Sequence, residues 1–222
     1  MKLIWSYSSI KTFDQCAKKY YHLRVAKDTQ DKGSEATQYG QEMHKVAEDF
    51  VSEKKPIPPK FSYLEEALKV LADIPGEKYC EKKLGVKLVD DTYTACDFFD
   101  KDVWWRGIID LLIIDGEKAY LIDYKTSKNA KYADTKQLDL CAAAVFLHFP
   151  QVQSIKSALI FVVSNEVVKK MHYIAERDKY MGIFNAELAR LQAAHESNVW
   201  NAVSGPLCKF CPVKDCEYNR SR

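Results

Sequence analysis

The sequence predicts an α/β chain, with helices packed around a mixed central β-sheet, and three observations predict it. Up to about residue 75, apolar residues recur at three- and four-residue intervals, as on one face of a helix. From Tyr79 to Lys125 the pattern changes to strand-like runs divided by turn residues. Beyond that, an apolar helix, a buried strand and an amphipathic helix follow in alternation. A chain of 222 residues, 47% of them hydrophobic, can bury one sizeable core. Residues 1–222 are therefore expected to form one domain, with a helical part (1–75), a sheet core (79–165) and a helix with a cysteine-rich tail (177–222).

Each element has its own signal. Ser8-Ser9 open a first helix ahead of Ile10, Phe13, Cys16, Ala17, Tyr20 and Tyr21. A polar break over 28–34 precedes a second helix at about Glu35–Ser52, with Met43, Val46, Ala47, Phe50 and Val51 as its apolar stripe. Pro56-Ile57-Pro58-Pro59 ends it, and Leu64–Ala72 forms a third helix closed by Pro75-Gly76. Strands are expected at Cys80–Val89 and Tyr93–Phe99. Two more, Trp104–Ile114 and Ala119–Lys125, flank Asp115-Gly116-Glu117, a hairpin signal. Gln137–Phe149 is an apolar helix ending at Pro150, Ser157–Ser164 a buried strand, Arg177–Val203 a long amphipathic helix and Pro206–Cys216 a tail.

Charge and composition narrow the function classes. A net charge of +2, from 33 basic and 31 acidic residues, excludes a polycation that holds nucleic acid by bulk charge. It leaves room for a DNA enzyme, in which a metal ion and a local basic groove handle phosphates. No apolar run reaches the length of a membrane span. Met1-Lys2-Leu3-Ile4-Trp5-Ser6-Tyr7 lacks the long apolar stretch and cleavage site of a secretory signal. With seven cysteines, an odd number, thiols or metal ligands are expected instead of a disulfide framework, in a cytoplasmic protein without membrane contact.

The central hairpin carries the most informative residues. If Gly116-Glu117 is the loop, Asp115 pairs with Lys118, and counting back along both strands sets Asp110 opposite Asp123. Lys125 projects from the same face as Asp123. Two carboxylates in apolar surroundings (Ile108, Ile109, Leu111, Leu112, Leu121, Ile122) are costly unless a cation joins them, and a divalent metal with oxygen ligands is the natural cation. Taken alone, Asp123-x-Lys125 also reads as a surface ion pair at a strand end.

Gly107-x-x-Asp110, Asp123-x-Lys125 at a strand end and Gln137 on the next helix resemble the PD-(D/E)xK nuclease superfamily, specifically its RecB-like branch. Gly40-Gln41-Glu42-Met43-His44 matches that branch's Gly-x-x-x-His pattern. The resemblance implies a restriction-endonuclease-like fold. It also implies that Asp110, Asp123, His44 and the backbone carbonyl of Tyr124 ligate Mg²⁺ or Mn²⁺. Lys125 would position the attacking water and stabilise the transition state, and Gln137 would orient Lys125 or the DNA end. Relatives often carry Tyr four residues after this Gln, where this chain has Cys141. Without the family context, His44 reads equally as a half-buried structural histidine beside Ala47 and Val51. Glu81, in a strand, is a weaker acidic candidate.

The tail, Cys208-x-x-Cys211-x₄-Cys216, is a strong ligand signal that lacks a fourth member. Cys16 is the leading fourth ligand, and Cys80, Cys96 and Cys141 compete as buried thiols. Zn²⁺ and an iron–sulfur cluster both suit four thiolates. Resemblance to RecB-like nucleases of the AddB and CRISPR-adaptation type implies a [4Fe–4S] cluster on Cys16, Cys208, Cys211 and Cys216, joining the first helix to the tail.

Trp5, Tyr7, Trp104, Trp105, Lys18, Lys19 and Arg24 are of residue types that can meet DNA, although most such aromatics belong to a core. The resulting expectation is a metal-dependent exonuclease acting on DNA ends or single strands in recombination, repair or replication, with a phage source compatible. A structure-selective or nicking endonuclease and a non-catalytic DNA-binding or assembly protein are the alternatives.

Overall fold

A computed structural model describes residues 3–131 and 133–220. They form two compact units: Ser34–Gly182 is one, and the segments on either side, up to Gly33 and from Ile183, make the other.

The larger unit is built on a six-stranded sheet of order β2-β1-β3-β4-β5-β6. Its strands are β1 (Glu77–Val89), β2 (Thr92–Cys96), β3 (Trp105–Asp115), β4 (Lys118–Lys125), β5 (Ser154–Phe161) and β6 (Glu166–Tyr173). All neighbours are antiparallel except β4 and β5, which run parallel, so the sheet is mixed as expected. The parallel step needs a crossover, and α5 (Lys136–His148) supplies it. Gly116, at φ 59°, makes the β3–β4 turn, and Asp115 pairs with Lys118, as the two-residue loop requires.

Alternation along the strands divides the side chains between two faces. Leu111, Ile113, Ile122, Ala158 and Val162 pack under α3 (Glu35–Glu53) and α4 (Glu65–Asp73), against Met43, Ala47, Val51, Leu64, Leu68 and Leu71. The opposite face is covered by α5, in which every residue from Leu138 to Phe146 is buried. A helix apolar nearly all round belongs in such a layer. Ser34 caps α3 with a capping box: its hydroxyl accepts from the Thr37 N–H, while the Thr37 hydroxyl accepts from the Ser34 N–H.

The smaller unit holds α1 (Tyr7–Gln15), α2 (Ala17–Tyr20) with a following π-turn (Tyr21–Val25), α7 (Asn185–Ser197) and the tail. Trp5 meets Phe184 edge-on at 6.0 Å, Tyr20 stacks on Trp200 at 6.0 Å, and His195 meets Trp200 at 4.8 Å. Ser6 and Ser9 form a capping box on α1.

Two expectations need correction. The long helix over Arg177–Val203 is broken: α6 (Arg177–Met181) stops at Gly182, a 3₁₀ turn follows, and α7 ends at Asn198 in the left-handed conformation (φ 53°). Glycine weakens a helix interior by about 1 kcal/mol relative to alanine, and Gly182 is also where the larger unit ends. The sequence reading also missed β6. Among the described residues, no helix is long and apolar enough to cross a membrane.

Candidate active site and thiol pocket

The β3–β4 ladder runs from Asp115–Lys118 to Leu111–Ile122. One further step in the same register is Asp110 and Asp123, and there the strands part. Asp110 Oδ2 accepts the Tyr124 backbone N–H at 2.7 Å. Asp123 is bound on both oxygens: Gln137 Nε2 donates to Oδ1 at 2.7 Å, and Lys125 Nζ lies 2.6 Å from Oδ2. Lys125 also donates to Gln137 Oε1 at 3.1 Å, so Asp123, Lys125 and Gln137 close a three-membered ring of contacts. The sequence places these residues together because Lys125 shares a strand face with Asp123 and Gln137 opens α5 on the same side. Gly107, upstream on β3, lies under the Trp105 ring; a Cβ there would come within 2.6 Å of it.

The histidine arrives from the other side. His44 on α3 places Nδ1 3.4 Å from Asp110 Oδ1 and 3.9 Å from Glu81 Oε1, with its ring edge-on to Tyr124 at 6.0 Å. Earlier on α3, a Cβ at Gly40 would meet the side chain of Thr126, the residue after Lys125, at 3.5 Å. One ligand atom each from His44, Glu81 and Asp110 lie within 4.8 Å of one another. Glu81 is thus a full member of the site, although the sequence marked it only weakly. In the β1–β3 ladder Cys80 pairs with Leu111 and Lys82 with Ile109, and Glu81 between them has a left-handed backbone (φ 48°). Non-glycine residues seldom adopt this conformation, and no local sequence signal announces it.

The crowded charges perturb one another. Burial raises the Asp123 carboxyl, and the Asp110 charge adds to this; Lys125 and His44 oppose it, leaving a pKa of about 6. Burial works against a charged His44, but Asp110 and Glu81 outweigh it and lift its pKa to about 10. Carboxylate oxygens with one imidazole form a donor set that suits Mg²⁺ or Mn²⁺. Cys141, four residues after Gln137, is buried, and burial raises its thiol.

Residues 4–216 match the model of the PD-(D/E)XK nuclease superfamily. The chain belongs to that superfamily. PD-(D/E)XK nucleases use divalent metals and act on DNA. Among solved structures, this PD-(D/E)XK chain is similar to a "Putative exonuclease" from Eubacterium rectale (13% identity, TM-score 0.53, 95% of this chain and 88% of that one). It is also similar to SSO0001 (12% identity, TM-score 0.41, 99% and 88%). Comparison with curated proteins returned no match.

The seven cysteines are free thiols and do not gather into one cluster. Cys80 and Cys96 sit on β1 and β2, and Cys141 on α5. Cys16, Cys208, Cys211 and Cys216, all in the smaller unit, line one cavity of about 170 Å³ together with Lys18 and Lys19. Two backbone N–H groups, of Lys19 and Val203, point at Cys16 Sγ at 3.5 Å, and that of Gly205 points at Cys208 Sγ at 3.3 Å. Such donors favour thiolates and tune metal–sulfur sites. No three of these sulfurs lie within 4.8 Å of one another, whereas a tetrahedral zinc site with 2.3 Å bonds brings its sulfurs to about 3.8 Å.

The residues named for DNA contact mostly serve packing. Trp5 and Trp105 are 1% exposed. Tyr7 packs on Phe184 and Trp104 on Tyr93, and Lys18 pairs with Glu217 at 2.6 Å. Lys19 is half-buried at the thiol cavity and Arg24 is exposed.

Proposed function

We propose that this chain is a divalent-metal-dependent DNA exonuclease of the RecB-like type, hydrolysing phosphodiester bonds at DNA ends in recombination, repair or replication. The observation that carries this reading is the ring of Asp123, Lys125 and Gln137 set beside the His44–Glu81–Asp110 trio. His44, Asp110, Asp123, the Tyr124 carbonyl and Glu81 would hold Mg²⁺ or Mn²⁺. When bound, the ion neutralises phosphate charge and lowers the pKa of a bound water. In the reaction, a water oxygen bonds to phosphorus as the bond to the leaving sugar oxygen breaks, and that oxygen takes up a proton. Lys125 places its ammonium against the attacked phosphate and stabilises the added negative charge. Gln137 holds Lys125 in place. The end-directed reading agrees with the name of the Eubacterium rectale protein, which shares the fold.

The same reading assigns a [4Fe–4S] cluster to Cys16, Cys208, Cys211 and Cys216 as a structural staple. The shared cavity and the N–H groups aimed at sulfur support it.

The test is a cleavage assay on linear and covalently closed DNA, single- and double-stranded, with Mg²⁺ or Mn²⁺. Wild-type protein should degrade linear DNA and spare circles, and Lys125→Ala should leave both intact. Cleavage of circles would replace the exonuclease with an endonuclease, and intact DNA in every lane would leave a binding protein.

A further inference from the structure

The buried run of α5 is apolar except at one acid, Asp139, two residues after Gln137. Its carboxylate lies 2.7 Å from Lys170 Nζ and 3.4 Å from His172 Nδ1, both residues on β6. His172 is fully buried, and its Nε2 is 2.7 Å from the Ser157 hydroxyl on β5. Asp139 Oδ1, the oxygen nearest Lys170 Nζ, also faces His172 Nδ1. A proton on Nδ1 points at Asp139 and leaves Nε2 to accept from the Ser157 hydroxyl, which also lies 3.2 Å from the Lys170 carbonyl. A buried ion pair of this kind contributes little net stability. It does fix geometry, because α5, β5 and β6 must be in register for all three contacts to form together.

What it fixes is the start of α5. Thr135, at the N-cap, makes no side-chain cap, and the Asp134 carboxylate accepts only the leading N–H, that of Lys136, at 3.0 Å. That turn carries the Gln137 amide, which must reach Asp123 at 2.7 Å and Lys125 at 3.1 Å together. We propose that Asp139, held by Lys170 and His172, is a positioning residue that locks the first turn of α5 and so sets the Gln137 bridge between Asp123 and Lys125. This rests on the nuclease reading above. Asp139 touches neither metal nor DNA in this account and acts only through Gln137.

The experiment is a double-mutant cycle read by single-turnover cleavage of linear DNA at saturating Mg²⁺, with DNA affinity and thermal melting measured alongside. Gln137→Ala and Asp139→Asn should each slow cleavage about tenfold or more, the usual cost of losing an outer support of a metal site, with DNA affinity retained. The double variant should be no slower than Gln137→Ala alone, since a residue acting through Gln137 has nothing left to position. Losses that multiply, or an Asp139→Asn protein as fast as wild type, overturn the proposal. If Asp139→Asn does not fold, Lys170→Gln removes the cation from the same carboxylate at a position 36% exposed. It goes through the same cycle with the same expected result, and a wild-type rate overturns the proposal. A wild-type protein that leaves DNA intact overturns the nuclease reading and this proposal with it. Active wild type with inactive Lys125→Ala keeps the first and puts only the second at risk.

Discussion

The carboxylate site of the larger unit and the thiol pocket of the smaller one assemble by opposite routes. In the first, strand register does most of the placing: Asp110, Asp123 and Lys125 lie within one hairpin, and their side chains already touch His44, Gln137 and one another. In the second, residues near opposite ends of the chain line a cavity, and no three of their sulfurs are close. The carboxylate site is set by the register of its hairpin and by direct contacts among its side chains. The thiol pocket is instead lined jointly by the first helices and the tail.

The largest expected effect separates chemistry from folding. Lys125→Ala should cut the cleavage rate about 100- to 1,000-fold, the usual cost of losing one group that stabilises transition-state charge, while the melting temperature stays near that of wild type. Cys211→Ser should do the reverse. Anaerobically purified wild type should be brown, with broad absorbance near about 400 nm. The variant should be colourless and less stable by several kcal/mol, read from its thermal melt. Colourless wild type with stoichiometric zinc would break the comparison by making the pocket an ordinary zinc site.

Acid should act on the larger unit through His172. Burial holds its pKa at about 4, below the usual 6.5; Asp139 and Glu176 oppose that shift and Lys170 adds to it, with the Tyr180 ring and Ser157 completing its surroundings. The unfolded chain therefore takes up a proton near pH 6.5 that the folded chain refuses until about pH 4. Stability is whole above pH 6.5 and falls by up to about 3 kcal/mol toward pH 4. Urea unfolding at pH 7 and pH 4.5 should show this loss in wild type and a smaller one in His172→Gln. The smallest effect should be equal in the two units: Ser6→Ala and Ser34→Ala each remove a capping box and should cost about 1 kcal/mol in the same assay.

The parts of the molecule legible in the sequence follow the same division. Register made Asp110 and Asp123 readable, because a two-residue turn and a period of two leave little freedom. Glu81 was only half visible, since its place depends on a left-handed backbone in the middle of a strand. β6 was missed because Lys169-Lys170-Met171-His172 reads as polar surface. Lys170 and His172 in fact turn inward to meet Asp139, so a buried polar cluster hid the strand that carries it. The turn at Ser164-Asn165 and the spacing of Val167, Lys169, Met171 and Tyr173 were the available signal. Gly182 was likewise a visible break inside the supposed long helix.

That the smaller unit draws on both flanks of the larger one has a consequence for synthesis. A chain made from its N-terminus completes Ser34–Gly182 while the last segment is still being translated. Cys16 then waits for Cys208, Cys211 and Cys216, and Lys18 for Glu217, 199 residues later. The hairpin bearing Asp110, Asp123 and Lys125 can therefore form first on the ribosome, and the thiol pocket is completed last, a stage that a prematurely terminated chain never reaches.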